Sequence, residues 1–295
     1  MNAPSSARLS GLVVAAYGRQ YRVRLADGEE LLCLPRGKKN EVACGDLVHV
    51  RATENGRGVI EQTKARRNLL CRSNTLREKR IAANVDQIVL VVAAEPAFSL
   101  TLLNRCLIAA KAEGIAPIIA LNKSDLVRKL PLARQRLALL ADMGYPLLEI
   151  SATRDVAALR PHLEGKTSVL VGQSGMGKST LINALIPGAD VATREISTAL
   201  ASGKHTTTHA RLYFLNSQSR LIDSPGLQEF GLGHLDFNDL ERAFPEFAPY
   251  LGNCRFRDCR HREEPGCALK AAAATGKIAE KRLRLFQTLT LENHL

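Results

Sequence analysis

Two short loops occur in an order that nucleotide-binding domains do not ordinarily show. The stretch 172-GQSGMGKST-180 has the Gly-x-x-x-x-Gly-Lys-Ser spacing of a phosphate-binding loop. The stretch 122-NKSD-125 has the composition of a guanine-reading loop, yet it lies fifty residues before the phosphate loop instead of after it. A fold that uses both must bring them to one ligand while its chain visits them in rotated order. That demand narrows the choice of fold more than composition does.

The surroundings of both loops are those of a doubly wound α/β sheet. From about residue 83, apolar runs 87-QIVLVVAA-94, 115-IAPIIALN-122, 146-PLLEIS-151 and 167-TSVLVG-172 alternate with helical stretches 101–114 and 131–144. Continuous apolar runs suit strands buried on both faces of a parallel sheet, whose ligand loops lie at the carboxyl ends of the strands. The phosphate loop follows strand 167–171 and opens the helix 178-KSTLINALI-186. There Gly172, Gln173, Ser174, Gly175, Met176 and Gly177 can turn backbone N–H groups toward phosphate oxygens, helped by the helix dipole. Lys178 can bridge the β- and γ-phosphates, the Ser179 hydroxyl can ligate Mg²⁺, and Thr180 completes the loop.

Base choice follows from the other strand ends. The Asp125 carboxylate can accept from both N1–H and the exocyclic amine of guanine, donors that adenine does not offer in that arrangement. A bidentate pair of this kind is worth roughly 1–3 kcal/mol. Asn122 can tie the base loop to the phosphate loop, the Lys123 stem can cover the base, and Ser124 spans to Asp125. Ser151 and Ala152, after strand 146–150, can aim a backbone N–H at guanine O6. Further on, 223-DSPG-226 suits a metal-side switch, with Asp223 holding Mg²⁺ through water and the Gly226 amide sensing the γ-phosphate. The segment 203-GKHTTTHA-210 offers Thr206, Thr207 and Thr208, one of which would complete the metal shell; spacing favours Thr207 or Thr208. Leu227 stands where many GTP switches carry a water-orienting Gln, which leaves His205 as the nearest local group for that task and points to slow intrinsic hydrolysis. Base loop, Ser-Ala, phosphate loop, Thr segment and DSPG form the usual set with its end moved to the front: a circular permutation.

The flanks differ in texture and charge. Residues 10–63 show about five short strands with Asp-Gly and Asn-Gly turns, the rhythm of a small closed barrel, OB-like or SH3-like. The net charge of +12 is segregated. Residues 1–80 hold 16 Lys and Arg against 8 Asp and Glu, residues 81–249 hold 16 of each, and residues 250–295 hold 9 against 5. Two basic modules around a neutral centre favour a polyanion partner. The join at 64–80 is basic and carries no clear period, so it reads as a linker or a segment that tracks nucleic acid. The chain shows no stretch of ~20 apolar residues for a membrane span and no signal-peptide core, which is the expectation for a cytoplasmic protein without a membrane partner.

Of seven cysteines, Cys254, Cys259 and Cys267 crowd together with His261. Cys-x₄-Cys-x-His-x₅-Cys supplies the donors of one closed, structural Zn²⁺ site. The chain then reads as three units: a barrel with basic linker over 1–72, the permuted α/β domain over 73–235, and a zinc knuckle with flanking helices over 236–295.

With these residues in place, the sequence resembles the RsgA/YjeQ family of circularly permuted, small-ribosomal-subunit-dependent GTPases. The resemblance rests on the barrel, 82-AANVDQ-87, NKSD, GQSGMGKST, KHTTTH, DSPG with 229-EFGL-232, and 254-CRFRDCRHREEPGC-267. It implies an OB-fold barrel and cytoplasmic GTP hydrolysis to GDP, stimulated by the small (30S) subunit late in its maturation. It also implies contact with 16S rRNA through the barrel and the zinc module. A monomer satisfies every feature. Two other readings fit fewer residues. A regulatory GTP-binding switch with a protein target does not account for the basic flanks, and a P-loop kinase would not need NKSD.

Overall fold

The computed structural model describes residues 8–37, 42–74, 77–189, 191 and 209–293. Its first five strands are β1 (Arg8–Tyr17), β2 (Gln20–Leu25), β3 (Glu30–Pro35), β4 (Leu47–Thr53) and β5 (Arg57–Thr63). They pair in the order β1-β2-β3-β5-β4, and β4 returns to β1 to close a five-stranded barrel. Alternation in the sequence becomes alternation in space: Tyr21, Val23, Leu31, Cys33, Val48, Val50 and Ile60 fill the interior. The barrel closes over Gly58, where a Cβ would lie 2.8 Å from Val50 Cγ1 and 3.0 Å from Cys33 Sγ.

The basic stretch that follows is a hairpin, not an unstructured linker. Strands β6 (Leu69–Asn74) and β7 (Arg77–Ala83) pair antiparallel, so the expected boundary at 72 runs through β6. Sequence periodicity hid them because Leu70, Cys71, Ile81 and Ala82 turn inward while basic side chains flank them, which blurs a period of two.

The α/β domain comprises β8 (Gln87–Ala93), α1 (Leu100–Ala112), β9 (Ala116–Asn122), α2 (Leu130–Asp142), β10 (Leu147–Glu149), α3 (Arg160–Leu163), β11 (Thr167–Val171), α4 (Lys178–Leu185), β12 (Ala210–Phe214) and β13 (Arg220–Asp223). Its strands lie in the order β10-β9-β8-β11-β13-β12, parallel except for β12. Every residue of β8 and β11 is buried, the polar Gln87, Thr167 and Ser168 at their starts included. The two halves of the permuted chain meet at the β8–β11 pair, where Ser168 lies opposite Gln87 and Val171 opposite Leu90. Gln87 pins this seam from within, its amide donating to Ser168 Oγ at 2.8 Å and to the His162 carbonyl at 2.7 Å. At the far edge, β12 pairs with β1 through Ala15–Arg211 and Ala16–Ala210, so barrel and α/β domain share one continuous sheet.

Beyond β13 come α5 (Phe237–Arg242), a 3₁₀ turn (Pro245–Tyr250), α6 (Ala268–Ala274) and α7 (Glu280–Glu292). No single helix spans 236–247: Pro245 drives Phe244 out of helical geometry, to φ −99° and ψ 98°, and separates α5 from the 3₁₀ turn. Phe244, Phe247 and Phe286 then interlock, with ring centroids 4.8–5.5 Å apart. Arg282 of α7 is buried against this cluster, over the Phe244 ring at 4.5 Å. Its guanidinium bonds Glu246 Oε1 at 2.5 Å and Asn104 Oδ1 of α1 at 2.6 Å, which fastens the C-terminal module to the α/β domain. Arg282→Ala leaves the partly buried Glu246 carboxylate without its partner and should cost about 1–3 kcal/mol, read as a lower urea midpoint by far-ultraviolet circular dichroism. An unchanged midpoint would show that the module docks by apolar contact alone.

Candidate nucleotide site and metal cluster

The base-reading loop leaves β9 at Asn122, a buried side chain that touches both other loops. Its Nδ2 donates to the Met176 carbonyl at 2.8 Å, and its Oδ1 accepts from the Ala152 N–H at 2.9 Å. One carboxamide thus uses a donor and an acceptor to join loops distant in sequence. Gly177 makes room for it: at φ 91°, a Cβ there would lie 2.3 Å from Asn122 Nδ2. Ser151 Oγ donates to Asp125 Oδ1 at 2.6 Å, and that bond holds the Asp125 carboxyl below its ordinary range. An ionised, oriented carboxylate can accept two guanine donors. Ser124 N–H donates to Ile150 at 3.0 Å, while Lys123 takes a left-handed φ of 61°. Burial draws the Lys123 amine down, against the attraction of Glu95 and Asp125.

The phosphate loop joins β11 to α4. Gly172 passes so near β8 that a Cβ would lie 2.3 Å from the Val91 carbonyl, and Gly175 turns at φ 81°. Lys178 is nine-tenths buried, with Nζ donating to the Gly172 and Gln173 carbonyls at 2.7 and 3.1 Å. Desolvation lowers its amine to about 8, although Asp223 pulls the other way. Gln173 points away from the loop and accepts from the Ser99 N–H at 2.6 Å, tying the loop to the N-cap of α1. Ser174 stands exposed at the rim, with Ser179 and Thr180 half-buried at the start of α4.

Asp223 ends β13, buried, and the DSPG turn folds back over the phosphate loop. The Cβ direction of Gly226 lies 3.5 Å from Ser174 N and 3.6 Å from Lys178 Nζ, while the Leu227 N–H donates to the Gly172 carbonyl at 3.2 Å. The Leu227 side chain packs into the core. It cannot orient water, in agreement with its residue type. His205, Thr206, Thr207 and Thr208 lie outside the described residues. Downstream of the turn, the chain is strapped to the basic hairpin. Arg72 Nη1 donates to the Glu229 carbonyl at 2.9 Å, Ser73 N–H to Gly231 at 3.0 Å, and Ser73 Oγ lies 3.0 Å from His234 Nδ1. No sequence motif pointed to these contacts, which join segments about 160 residues apart.

Cys254, Cys259, His261 and Cys267 do converge: their donor atoms all lie within 4.8 Å of one another. His261 Nδ1 is 3.6, 3.5 and 3.2 Å from the Cys254, Cys259 and Cys267 sulfurs, edge lengths suited to a tetrahedron around a single soft cation. Burial pushes the Cys259 thiol up to about 12 and raises that of Cys267, so thiolates here call for a bound cation. Outside the tetrahedron, His261 Nε2 lies 2.6 Å from Glu241 Oε1. A carboxylate at that nitrogen fixes the tautomer that leaves Nδ1 free to ligate. Glu241, twenty residues upstream, escaped the sequence reading because no spacing rule links a ligand to its outer partner.

Two outcomes are expected. A phosphate raises the amine affinity of Lys178 for its proton, so nucleotide binding should take up protons above pH ~8 and weaken as pH climbs further. Calorimetry in buffers of different ionisation enthalpy checks this; buffer-independent heats would contradict it. Glu241→Gln should lower metal affinity about 10–100-fold, seen by chelator competition, and an unchanged affinity would remove Glu241 from the site.

The family described as RsgA GTPase matches residues 63–233. A small ribosomal subunit biogenesis GTPase RsgA of Paraburkholderia phymatum is 54% identical, over 97% of this chain and 92% of the relative. One of the same description from Burkholderia pseudomallei (strain K96243) is also 54% identical, over 97% and 92%. Among solved structures, YjeQ from Thermotoga maritima superposes with a TM-score of 0.70 at 30% identity, covering 98% of this chain and 99% of that one. YloQ, described as a circularly permuted GTPase, gives 0.68 at 27%, covering 100% and 98%. A rotated strand order, loops converging on one carboxamide and near full-length identity agree: the chain belongs to the RsgA family of circularly permuted GTPases, hydrolases of GTP.

Proposed function

We propose that this GTPase acts in the biogenesis of the small ribosomal subunit, for which its relatives are named, at a late stage of its maturation, and that the subunit stimulates its hydrolysis. The observation that carries the reading is the three-loop junction at Asn122, which joins guanine selection to phosphate binding. In this reading, Asp125 with Ser151 holds the guanine edge, Ala152 N–H faces its O6, and Lys123 covers the ring. Residues 172–180 hold the phosphates, whose negative charge keeps Lys178 protonated to higher pH. Ser179, Asp223 and one of Thr206–Thr208 would hold Mg²⁺, which neutralises phosphate charge as the β–γ bond breaks. The Gly226 amide contacts the γ-phosphate and reports its loss to Glu229–His234. Because Leu227 is packed away, water is positioned by His205 or by a group supplied in trans, and the second route accounts for a partner-triggered enzyme.

The Cys₃His cluster would hold one structural Zn²⁺, whose four protein ligands leave no open position for catalysis. The barrel (β1–β5) with the basic β6–β7 hairpin, and the zinc module (236–295), flank the GTPase domain as basic contacts for 16S rRNA, in a cytoplasmic monomer. No helix among the described residues is long and apolar enough to cross a membrane. GTP turnover, measured alone and with isolated small subunits across a salt series, tests the proposal. Stimulation of about 10³–10⁵-fold, the scale of groups supplied in trans, should fade steeply with salt. Absence of stimulation with intact GTP binding would point to a protein target instead.

A further inference from the structure

Seven of the eight phenylalanines are buried or half-buried; Phe256, in the middle of the metal knuckle, is 42% exposed. The residues beside it, Arg255, Arg257 and Asp258, are exposed too, and the guanidinium of Arg255 sits 5.5 Å from the Phe256 ring. Next to the ring opens a cleft of ≈620 Å³ whose lining includes Phe237, Asn238, Phe256, Arg257, Asp258 and Arg260, and whose floor is shared with the metal donors. On that lining a second aromatic–guanidinium stack repeats the first, with Arg260 over Phe237 at 4.4 Å. None of Arg255, Arg257 and Arg260 is held in an ion pair among the described residues.

An apolar ring left in water among unpaired cations loses the burial that the other rings gain. The combination suits a partner with flat apolar faces on an anionic strand. Unpaired nucleobases have that character: they stack on aromatic rings and guanidinium planes, present hydrogen-bonding edges to groups such as Asn238 and Asp258, and carry phosphates. A base inside a duplex could not reach the ring. Two arginine-backed rings on one cleft therefore favour single-stranded or bulged RNA over duplex.

We propose that the metal knuckle carries a base-stacking site, in which Phe256 receives an unpaired nucleobase of bound RNA while Arg255 and Arg257 meet its phosphates. The site rests on the RNA-contact reading given above and adds what the module selects: a splayed-out base, not only negative charge. The knuckle is held by the metal donors and by the Gly266–Arg255 backbone bond, so substituting the exposed ring leaves its frame intact.

The probe is short single-stranded RNA carrying 2-aminopurine at an unpaired position, titrated with the full chain. The chain has no tryptophan to interfere with its emission. Binding should change the 2-aminopurine emission, and Phe256→Ala should abolish that change and weaken binding about 10–100-fold, the range of a single stacked base. Phe256→Tyr should restore both, Phe256→Leu neither, with metal content equal throughout. Arg257→Gln should instead lower the salt slope by about one phosphate contact. Equal binding by wild type and Phe256→Ala, or equal rescue by Leu and Tyr, would overturn the site. So would tighter binding of duplex, or of a poly-glutamate peptide, than of the single strand. Salt-dependent binding to small subunits, measured alongside, separates the two failures. If it persists while Phe256→Ala is silent, the stacking site alone falls; if the chain binds neither RNA nor subunit, the RNA-contact reading falls with it.

Discussion

The two hydrogen bonds of the Asn122 carboxamide hold together a site that the chain order would otherwise scatter. One bond reaches the phosphate loop at Met176 and the other reaches Ala152, so the loops from β9, β10 and β11 share one buried polar group. Loss of that group would leave a buried N–H and a buried carbonyl unpaired, a cost of roughly 1–3 kcal/mol each. Gly177 and Ser151 are adapted to the same junction, the first by lacking a Cβ and the second by bonding Asp125. The permutation is tolerated because the β8–β11 seam lies at the sheet centre, where packing on both faces is insensitive to which end the chain enters from.

Rotation of the chain also changes what the switch segments touch. The strand that leaves the Thr segment, β12, pairs with barrel strand β1, and His209 meets the Tyr17 ring edge-on at 5.3 Å. The segment that leaves DSPG is strapped to the β6–β7 hairpin by Arg72 and Ser73 before it enters α5. On the opposite side, α1 connects the phosphate loop, through Gln173 and Ser99, to α7 through Asn104 and Arg282. Each flanking module therefore has a physical link to a segment of the candidate nucleotide site. A change of a few tenths of an ångström at the phosphates has packed elements to move, not a flexible tether.

Much of this was legible in the sequence, for definable reasons. Apolar runs marked β8, β9 and β11, because doubly buried strands admit polar residues only where these find partners, as Gln87, Ser168 and Asn122 do. Glycine at 172 and 177 and the donor types at 122, 125 and 178 marked the candidate site, because a phosphate and a guanine edge would admit few alternatives. The crowding of Cys254, Cys259, His261 and Cys267 marked the metal cluster for the same reason. What escaped has long-range causes. The hairpin at 69–83 is specified by its fit against residues 229–234, a contact no local window contains. Glu241 acts through His261 across a turn, and α6, the alanine-rich 268–274, lacks the polar face that gives a helix its period. Phe244 left its helix because of one proline, a rule that local reading could have applied at 245.

The account turns on Asn122 serving both halves of the site, and Asn122→Ala measures that directly. Calorimetric titration with GTP, ATP and inorganic pyrophosphate separates guanine selection, read as the GTP-to-ATP ratio, from phosphate binding, read with pyrophosphate alone. If one carboxamide positions both loops, the variant should lose about 5–150-fold of GTP affinity, with the GTP-to-ATP ratio and the pyrophosphate affinity falling together. A variant that loses only one of the two would mean that the loops are positioned independently, and that the convergence at Asn122 does not organise the site.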